Sequence, residues 1–222
     1  MHLNISSDTY ATWGALANVL GYLLHQYPER ELIDNFKEQQ LARTWPVLTS
    51  SSNEKQALDE LDRALVGWDS SEEHLVELKL DFGRLFFGPG EPIAAPWGSV
   101  YLCESQILFD RSTAKLAKFY AEHAIKVDCE KHEPVDHIGL IMVTLAYLFE
   151  QLALNPCDEF KYDAAVALLQ EHLLPWGYRC LSLAEQNANT PFYRSIAHLA
   201  QVYLHTLAEK LGVIVVQRKL YR

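Results

Sequence analysis

The sequence predicts an all-α fold: a helical bundle with a Pro/Gly-rich loop and a short extended C-terminal tail. Apolar residues recur at three- and four-residue steps through most of the 222 residues, whereas the alternation typical of strands does not recur. Capping residues and glycine or proline stops divide this pattern into separate helices. No helix is set apart by a polar linker, so we expect a single domain over residues 1–222.

Composition limits the classes of function. Hydrophobic residues make up 49% of the chain and charged residues 22%, the balance of an ordinary core-forming protein. The formal net charge of −10 argues against a nucleic-acid partner. The longest apolar run, residues 138–149, is too short to cross a bilayer, and the first residues show no cleavable signal segment. From these two observations we expect no stable membrane insertion. Because the four cysteines form no C-x-x-C pair, we also expect reduced thiols and a cytoplasmic protein.

The helices in the first half of the chain are bounded by capping residues and helix breakers. The first helix is expected to begin at Asp8 and to end at Pro28, and a shorter second helix is expected over residues 29–40. The third helix is expected to begin at the turn and cap of residues 50–53 and to end at Gly67. The capping-box pair Ser70 and Glu73 is expected to begin the fourth helix. In the second half, periodicity returns at about Ser112. Asp158 begins a helix that Pro175 is expected to stop, and Thr190 begins one that ends at Gly212, before β-branched residues predict an extended tail over residues 213–216.

The helical pattern breaks at residues 88–98, where three prolines and three glycines exclude a regular helix. We expect a loop there, and it is the best candidate for a hinge. Large apolar side chains are concentrated around it: Phe82, Leu85, Phe86, Phe87, Trp97 and Tyr101. Two interpretations stay open, a core cluster or a groove in which the loop holds Trp97 near the surface. A groove of this kind beside an acidic helix start suits a peptide with basic and apolar portions.

Residues 130–151 contain the most unusual feature of the sequence, a polar start to a strongly apolar helix. Pro134 suits a first helical turn, and Asp136 and His137 are expected to lie in the same turn. The positive end of the helix dipole would keep the carboxylate ionised and would disfavour an imidazolium, which predicts a neutral His137. Asp136 then either supports its own helix start or offers its oxygens to a cationic ligand.

A metal-dependent hydrolase is the alternative from another functional class, acting through His132, Asp136 and His137. The spacing argues against it. His132 and His137 are five residues apart, so they are roughly 140° apart around a helix, and a proline lies between them. No phosphate loop, dinucleotide fingerprint or nucleophile elbow occurs either, so the sequence predicts no enzyme and no metal.

Four separated motifs point to a known family. They are Val19-Leu20-Gly21-Tyr22, then Arg84-Leu85-Phe86-Phe87-Gly88-Pro89 with Pro96-Trp97-Gly98-Ser99-Val100-Tyr101-Leu102, then Glu133-Pro134-x-Asp136-His137, and finally His172-Leu173-Leu174-Pro175-Trp176 with Pro191-Phe192-Tyr193-Arg194. In this order, over nearly the whole chain, they resemble the TorD/DmsD family of redox-enzyme maturation chaperones.

The resemblance implies an all-α protein that is not an enzyme and holds no cofactor. It implies a chaperone that binds the twin-arginine signal peptide of a molybdoenzyme catalytic subunit, a molybdopterin reductase of the dimethyl sulfoxide reductase type. Binding in the cytoplasm would delay Tat export until the subunit has folded and taken up its cofactor. Components of the Tat translocase stay open as further partners, and both a monomer and a domain-swapped dimer stay open as the oligomeric state.

The residues expected to bind the signal peptide follow from the same motifs: Phe82, Leu85, Phe86, Pro96, Trp97, Asp136 and His137. The chain departs from the family at two places. It has Phe82 and Gly90 where the family has tryptophan, and the second change removes a large apolar surface from the expected groove. These departures leave the peptide preference and the identity of the client reductase open.

Overall fold

The computed structural model describes residues 5–127 and 133–222. Within those ranges the chain forms α-helices and two π-helical segments but no β-strand, which confirms the all-α prediction. None of the described helices is both long and apolar enough to cross a membrane. In chain order the α-helices are α1 (Ser7–His25), α2 (Arg30–Glu38), α3 (Leu41–Thr44), α4 (Ser52–Gly67), α5 (Glu72–Phe82), α6 (Gly98–Leu102), α7 (Arg111–Glu122), α8 (Ile138–Leu154), α9 (Glu159–Ala167), α10 (Leu174–Asn187) and α11 (Pro191–Lys210). The π-helical segments, Gly83–Phe87 and Leu168–Leu173, follow α5 and α9 directly.

The described residues group into two compact units, each built from separated pieces of the chain. The first unit takes its residues from 1–25, 96–177 and 207–222, and the second takes its residues from 26–95 and 178–206. One boundary between these pieces, after Ala95, falls inside the Pro/Gly-rich loop. The single domain expected over residues 1–222 stays a prediction.

The core of the first unit is built on α1 and α8. Eleven of the 17 residues of α8 are buried, because its sequence is apolar on nearly every side. Tyr10 and Trp13 of α1 pack on Phe149 of α8, with ring centroids 6.1 and 5.5 Å from that of Phe149. Buried aromatic contacts of this size are among the strongest in a protein core, so they hold the two helices together.

Two glycines bring the backbones of α1 and α8 into contact. A Cβ atom on Gly139 would lie 2.6 Å from the Cβ of His25 and 2.7 Å from the carbonyl oxygen of Gly21. A Cβ atom on Gly21 would lie 2.9 Å from the carbonyl oxygen of Gly139. No larger residue fits at either position without moving a helix. The contact places His25, the last residue of α1, beside the start of α8.

In the second unit a buried carboxylate fixes the start of α11. Asp81 is 2% exposed and accepts hydrogen bonds from the backbone N–H groups of Asn189 and Thr190, at 3.0 and 2.7 Å. The Thr190 hydroxyl donates to the same carboxylate at 2.7 Å. Arg84 lies 3.0 Å from Asp81, balances its charge and also donates to the carbonyl oxygen of Asn187. The sequence analysis identified Thr190 as a cap but missed its partner Asp81.

Most of the predicted helix caps are confirmed. The side chains of Ser51, Asp158 and Thr190 each accept a hydrogen bond from a backbone N–H in the first turn of the helix that follows. The prediction for α5 was wrong by one residue, because the oxygen that accepts from the backbone N–H three residues on belongs to Ser71 and not to Ser70. The backbone of Ser70 has φ +62°, which is incompatible with a cap in an extended conformation.

Three other helix boundaries differ from the predicted ones. Asp8 lies inside α1, where the hydroxyl of Ser6 accepts from a backbone N–H instead. Pro175 does not stop a helix: residues 159–187 are helical without a break, and the π-helical segment Leu168–Leu173 lies directly before α10, where its altered hydrogen bonding accommodates the missing N–H. The sequence analysis missed α10, together with the short helices α3 and α6. Residues 213–216 are extended, as predicted, but form no strand.

We expect Gly139→Ala to destabilise the protein by about 1–3 kcal/mol, because the new methyl group meets backbone atoms of α1 that cannot rotate away. Thermal unfolding followed by circular dichroism measures the effect. Gly67→Ala is the matched control, since a Cβ atom at Gly67 would have nothing within 4 Å. Equal melting temperatures for the two variants would show that α1 and α8 can separate at no cost.

Candidate functional site

A short antiparallel bridge in the first unit brings four of the expected site residues together. Trp97 pairs with His137 across this bridge. The backbone N–H of Gly98 donates to the carbonyl oxygen of Asp136 at 3.1 Å, and that of Ile138 donates to the carbonyl oxygen of Pro96 at 2.7 Å. These hydrogen bonds tie the end of the Pro/Gly-rich loop to the residues before α8. Pro96, Trp97, Asp136 and His137 therefore lie side by side.

The sequence analysis expected Asp136 in the first turn of its own helix. This prediction was wrong, because α8 begins two residues later at Ile138. Its Oδ2 accepts a hydrogen bond of 2.7 Å from the backbone N–H of Ser99 in α6. Asp136 is 3% exposed, and its Oδ1 has no hydrogen-bond partner among the described residues. The sequence analysis could not identify Ser99 as the partner, because 37 residues separate the two.

The electrostatic environment of Asp136 also differs from the predicted one. Burial raises the pKa of the Asp136 carboxyl, against the opposing effects of the Ser99 amide and hydroxyl and of the Thr113 hydroxyl. The pKa of Asp136 is therefore raised, whereas a helix dipole was expected to lower it. A buried carboxyl with a raised pKa and one unpaired oxygen gains from a cationic partner, because such a partner favours the charged form that burial opposes.

His137 is the N-cap residue of α8. Its Nδ1 accepts a hydrogen bond of 3.0 Å from the backbone N–H of Gly139. Burial, followed by repulsion from His25, lowers the pKa of His137 well below its ordinary value, which agrees in direction with the predicted neutral imidazole. The cause is mainly burial and not the helix dipole. Since Nδ1 is the acceptor, the single proton of the neutral ring lies on Nε2.

Two residues that the sequence analysis missed complete this cluster. The ring of His137 lies between those of Trp97 and His25, with centroid distances of 5.7 and 4.7 Å and steep angles of 85° and 74°. The Nε2 of His25 lies 2.7 Å from a carboxylate oxygen of Glu133. The signal for Glu133 was present, since it belongs to the motif that contains Asp136, but nothing local marks His25.

His25, Glu133 and His137 also test the metal alternative, because one potential ligand atom from each lies within 4.8 Å of the others. Histidine binds a metal ion through a nitrogen that carries no proton. In His137 the unprotonated Nδ1 is engaged by Gly139, and Nε2 carries the proton. A metal ion would therefore have to break the cap of α8. His132, the first residue of the hydrolase alternative, lies outside the described residues.

The other three expected residues, Phe82, Leu85 and Phe86, belong to the second unit. They are only 2%, 0% and 2% exposed, so in this unit they form a core cluster, the first of the two interpretations. Phe82 packs against Tyr27, with ring centroids 4.6 Å apart, and against Tyr193 at 5.8 Å.

The exposed apolar surface of the second unit lies next to that core cluster. Phe87 is 66% exposed, and Leu80 is 68% exposed. Tyr27, Leu80 and Ile93 are among the residues that line a groove with a volume of about 660 Å³. The ring of Phe87 lies 5.6 Å from that of Tyr27, so it extends the apolar character of the groove. Sequence reasoning placed the binding function on the buried residues and missed these exposed neighbours.

We expect no tightly bound transition metal at His25, Glu133 and His137. The measurement is elemental analysis of the purified protein after incubation with zinc and desalting. His25→Gln is the matched variant, because it removes one potential ligand and should leave the metal content unchanged. One equivalent of zinc that is lost in His25→Gln would contradict this prediction and revive the hydrolase alternative.

The buried His137 should make stability fall on acidification. Below an ordinary histidine pKa of about 6.5, the unfolded chain takes up a proton that the folded ring does not, so the free energy of unfolding decreases by up to about 1.4 kcal/mol per pH unit. His137→Asn keeps a capping acceptor and removes the titrating group. Urea unfolding at pH 7.5 and 5.5 should show a smaller pH effect in this variant. An unchanged pH effect would mean that the folded ring also takes up the proton.

Comparisons with known proteins identify the family of the chain. Residues 50–182 match the family model described as "Nitrate reductase delta subunit". The "Tat proofreading chaperone DmsD" of Salmonella paratyphi A is 30% identical over 93% of this chain and 94% of its own length. The "Probable Tat proofreading chaperone DmsD" of Haemophilus influenzae is 33% identical over 62% of this chain and 64% of its own length. The "Chaperone protein TorD" of Aliivibrio salmonicida is 26% identical over 60% of this chain and 63% of its own length. These relatives are named as chaperones and not as enzymes, which agrees with the prediction that the chain is not an enzyme. The chain belongs to the nitrate reductase delta subunit family, which includes the TorD and DmsD chaperones.

Proposed function

We propose that this chain is a maturation chaperone of the cytoplasm that binds the twin-arginine signal peptide of a molybdopterin reductase subunit. By occupying the signal peptide it delays Tat export until the subunit has folded and taken up its cofactor. The observation that carries the proposal is the unpaired Oδ1 of the buried Asp136, next to the partly exposed Trp97. The relatives named as Tat proofreading chaperones support the same conclusion.

The chemistry of an arginine side chain fits the Asp136 carboxylate. A guanidinium group carries several N–H donors in a planar fork and stays charged at every physiological pH. One of these donors satisfies the free Oδ1 of Asp136, while Oδ2 keeps its hydrogen bond to Ser99. The charge of the guest also lowers the cost of ionising a buried carboxyl.

The aromatic part of the cluster complements the carboxylate. Trp97 offers a ring to a second cation or to an apolar side chain of the peptide. Pro96 and His137 hold that ring in place, because the bridge fixes the backbone and the His137 ring packs against it. We assign Asp136 and Trp97 to direct contact with the peptide, and Pro96 and His137 to positioning.

A separate subsite for the apolar portion of the signal peptide is the groove of the second unit. Phe82, Leu85 and Phe86 act there as packed support and not as contact residues. Phe82 packs on Tyr27, which lines the groove. The position of the missing family tryptophan, Gly90, is exposed and has φ +91°. Its lack of a side chain removes the large apolar surface that the family tryptophan offers to a peptide.

The partners follow from this function. The client is the catalytic subunit of a reductase of the dimethyl sulfoxide reductase type, and the Tat translocase is the machinery that receives the released precursor. Both a monomer and a domain-swapped dimer stay open as the oligomeric state. A pull-down from the native cytoplasm, followed by mass spectrometry, identifies the client precursor.

We expect Asp136→Asn to weaken binding of a twin-arginine signal peptide about ten- to a hundredfold. The variant loses a charge-assisted hydrogen bond worth roughly 1.5–3 kcal/mol, and the asparagine oxygen can still accept from Ser99. The remaining affinity should depend less on salt, because a screened attraction has been removed. Isothermal titration calorimetry at low and high salt measures both effects.

Trp97→Ala is the matched comparison, because it removes an apolar contact and no charge. It should cost about 2 kcal/mol of binding free energy and leave the salt dependence unchanged. Circular dichroism checks that both variants are folded. The assignment of Asp136 fails if Asp136→Asn binds the peptide as the wild type does, or if it unfolds without a separate binding defect. An arginine-free peptide that binds with unchanged affinity would refute the electrostatic part of the proposal.

A further inference from the structure

An extended basic segment follows the last helix of the chain. α11 ends at Lys210, and Gly212 with φ +63° turns the backbone out of the helix, where the N–H of Val213 closes the turn on the carbonyl oxygen of Ala208 at 2.8 Å. The segment 213–222 contains no carboxylate and three cationic side chains, those of Arg218, Lys219 and Arg222. It is therefore strongly basic in a chain whose net charge is −10.

This segment is held against the first unit through its main chain. The backbone N–H of Tyr221 donates to the carbonyl oxygen of Tyr101 at 3.0 Å. The side-chain amide of Gln106 donates to the carbonyl oxygen of Tyr221 at 2.8 Å. Hydrogen bonds to the main chain do not depend on side-chain identity, so another extended peptide can make the same contacts.

Arg218 of this segment lines a cavity of the first unit with a volume of about 740 Å³. Asp136 lines the same cavity, and it is the lining carboxylate that is buried and has an unpaired oxygen. The other lining carboxylates are those of Glu104, Asp110, Glu122 and Glu171. Apart from Arg218, the fully cationic lining side chains are those of Arg111, Lys115 and Lys118. Without Arg218, carboxyl groups outnumber cations, which favours a cationic guest.

The positive charge of Arg218 affects the pKa of a residue that lines this cavity. His172 also lines it, and its pKa is lowered first by burial. Glu171 raises that pKa, and Arg218 is the first of the cations that lower it further. The Arg218 side chain is exposed, whereas Asp136 in the same cavity is buried.

We propose that segment 217–222 competes with a twin-arginine signal peptide for the cavity that Arg218 and Asp136 both line, so that the peptide must displace the segment in order to bind. The inference rests on the proposed function, because it assigns the cavity that contains Asp136 to the arginine pair. Arg218-Lys219 is itself a pair of adjacent cations, the same chemistry that a twin-arginine motif presents. The segment lowers the affinity of the chaperone for weakly basic peptides and leaves the site to a peptide with a stronger cationic pair.

The first experiment needs no signal peptide. A labelled synthetic peptide with the sequence of residues 213–222 is titrated into the full chain and into its Arg218→Gln variant. If the internal segment occupies the site for about nine-tenths of the time, freeing the site should tighten binding of the added peptide about tenfold. Lys210→Gln is the control, since it removes one exposed positive charge outside the segment and should have no effect. Equal affinity for the wild type and Arg218→Gln, or no binding to either, overturns the proposal.

The second experiment repeats the titration with a twin-arginine signal peptide. Arg218→Gln should again tighten binding, and deletion of residues 217–222 should do the same, which guards against a local effect of the point substitution. If the signal peptide binds with the same affinity to all three proteins, the competition of the segment is refuted while the proposed function stands. If the signal peptide fails to bind and the segment peptide behaves as expected, the proposed function is refuted, and only the competition of the segment for the cavity stands.

Discussion

The backbone contact between Gly21 of α1 and Gly139 of α8 is the constraint on which the first unit depends. Two helices reach this separation only where both lack a Cβ atom. The contact lies at the second residue of α8, so it fixes the N-terminal end of that helix and not only its apolar core. His25 ends α1 one turn after Gly21, and this alone places its ring against His137 and its Nε2 beside Glu133.

The same reasoning explains why short motifs far apart in the chain belong together. Gly98 is in contact with Trp176, since a Cβ atom at Gly98 would lie 2.8 Å from the Nε1 of that ring. The Trp176 ring in turn stacks on Tyr101, with centroids 5.4 Å apart. The motif that contains Gly98 and Tyr101 and the motif that contains Trp176 are separate in the sequence but pack against each other in the first unit. A substitution in one of them changes the shape that its partner needs.

Features set by local interactions were predictable from the sequence, and those set by distant contacts were not. The all-α class and the caps at Ser51 and Asp158 were predicted correctly, because each follows from nearby residues. The neutral His137 was predicted from a helix dipole, whereas burial is the main cause of its lowered pKa. The partner of Asp136 was not predictable, and for that reason the start of α8 was placed too early. Phe82 was assigned to a groove because spacing does not reveal which side of an aromatic cluster faces solvent.

Asp136 combines two roles that the sequence analysis treated as alternatives. One oxygen is structural, because it binds the backbone N–H of Ser99, and the other is unpaired in a cavity. A buried carboxyl of this kind carries a free-energy cost that the fold alone does not remove. The Ser99 and Thr113 hydroxyls offset part of this cost, and a cation at the free oxygen would offset more of it. In the proposed function, Asp136 therefore both joins the loop to the start of α8 and selects the arginine of the peptide.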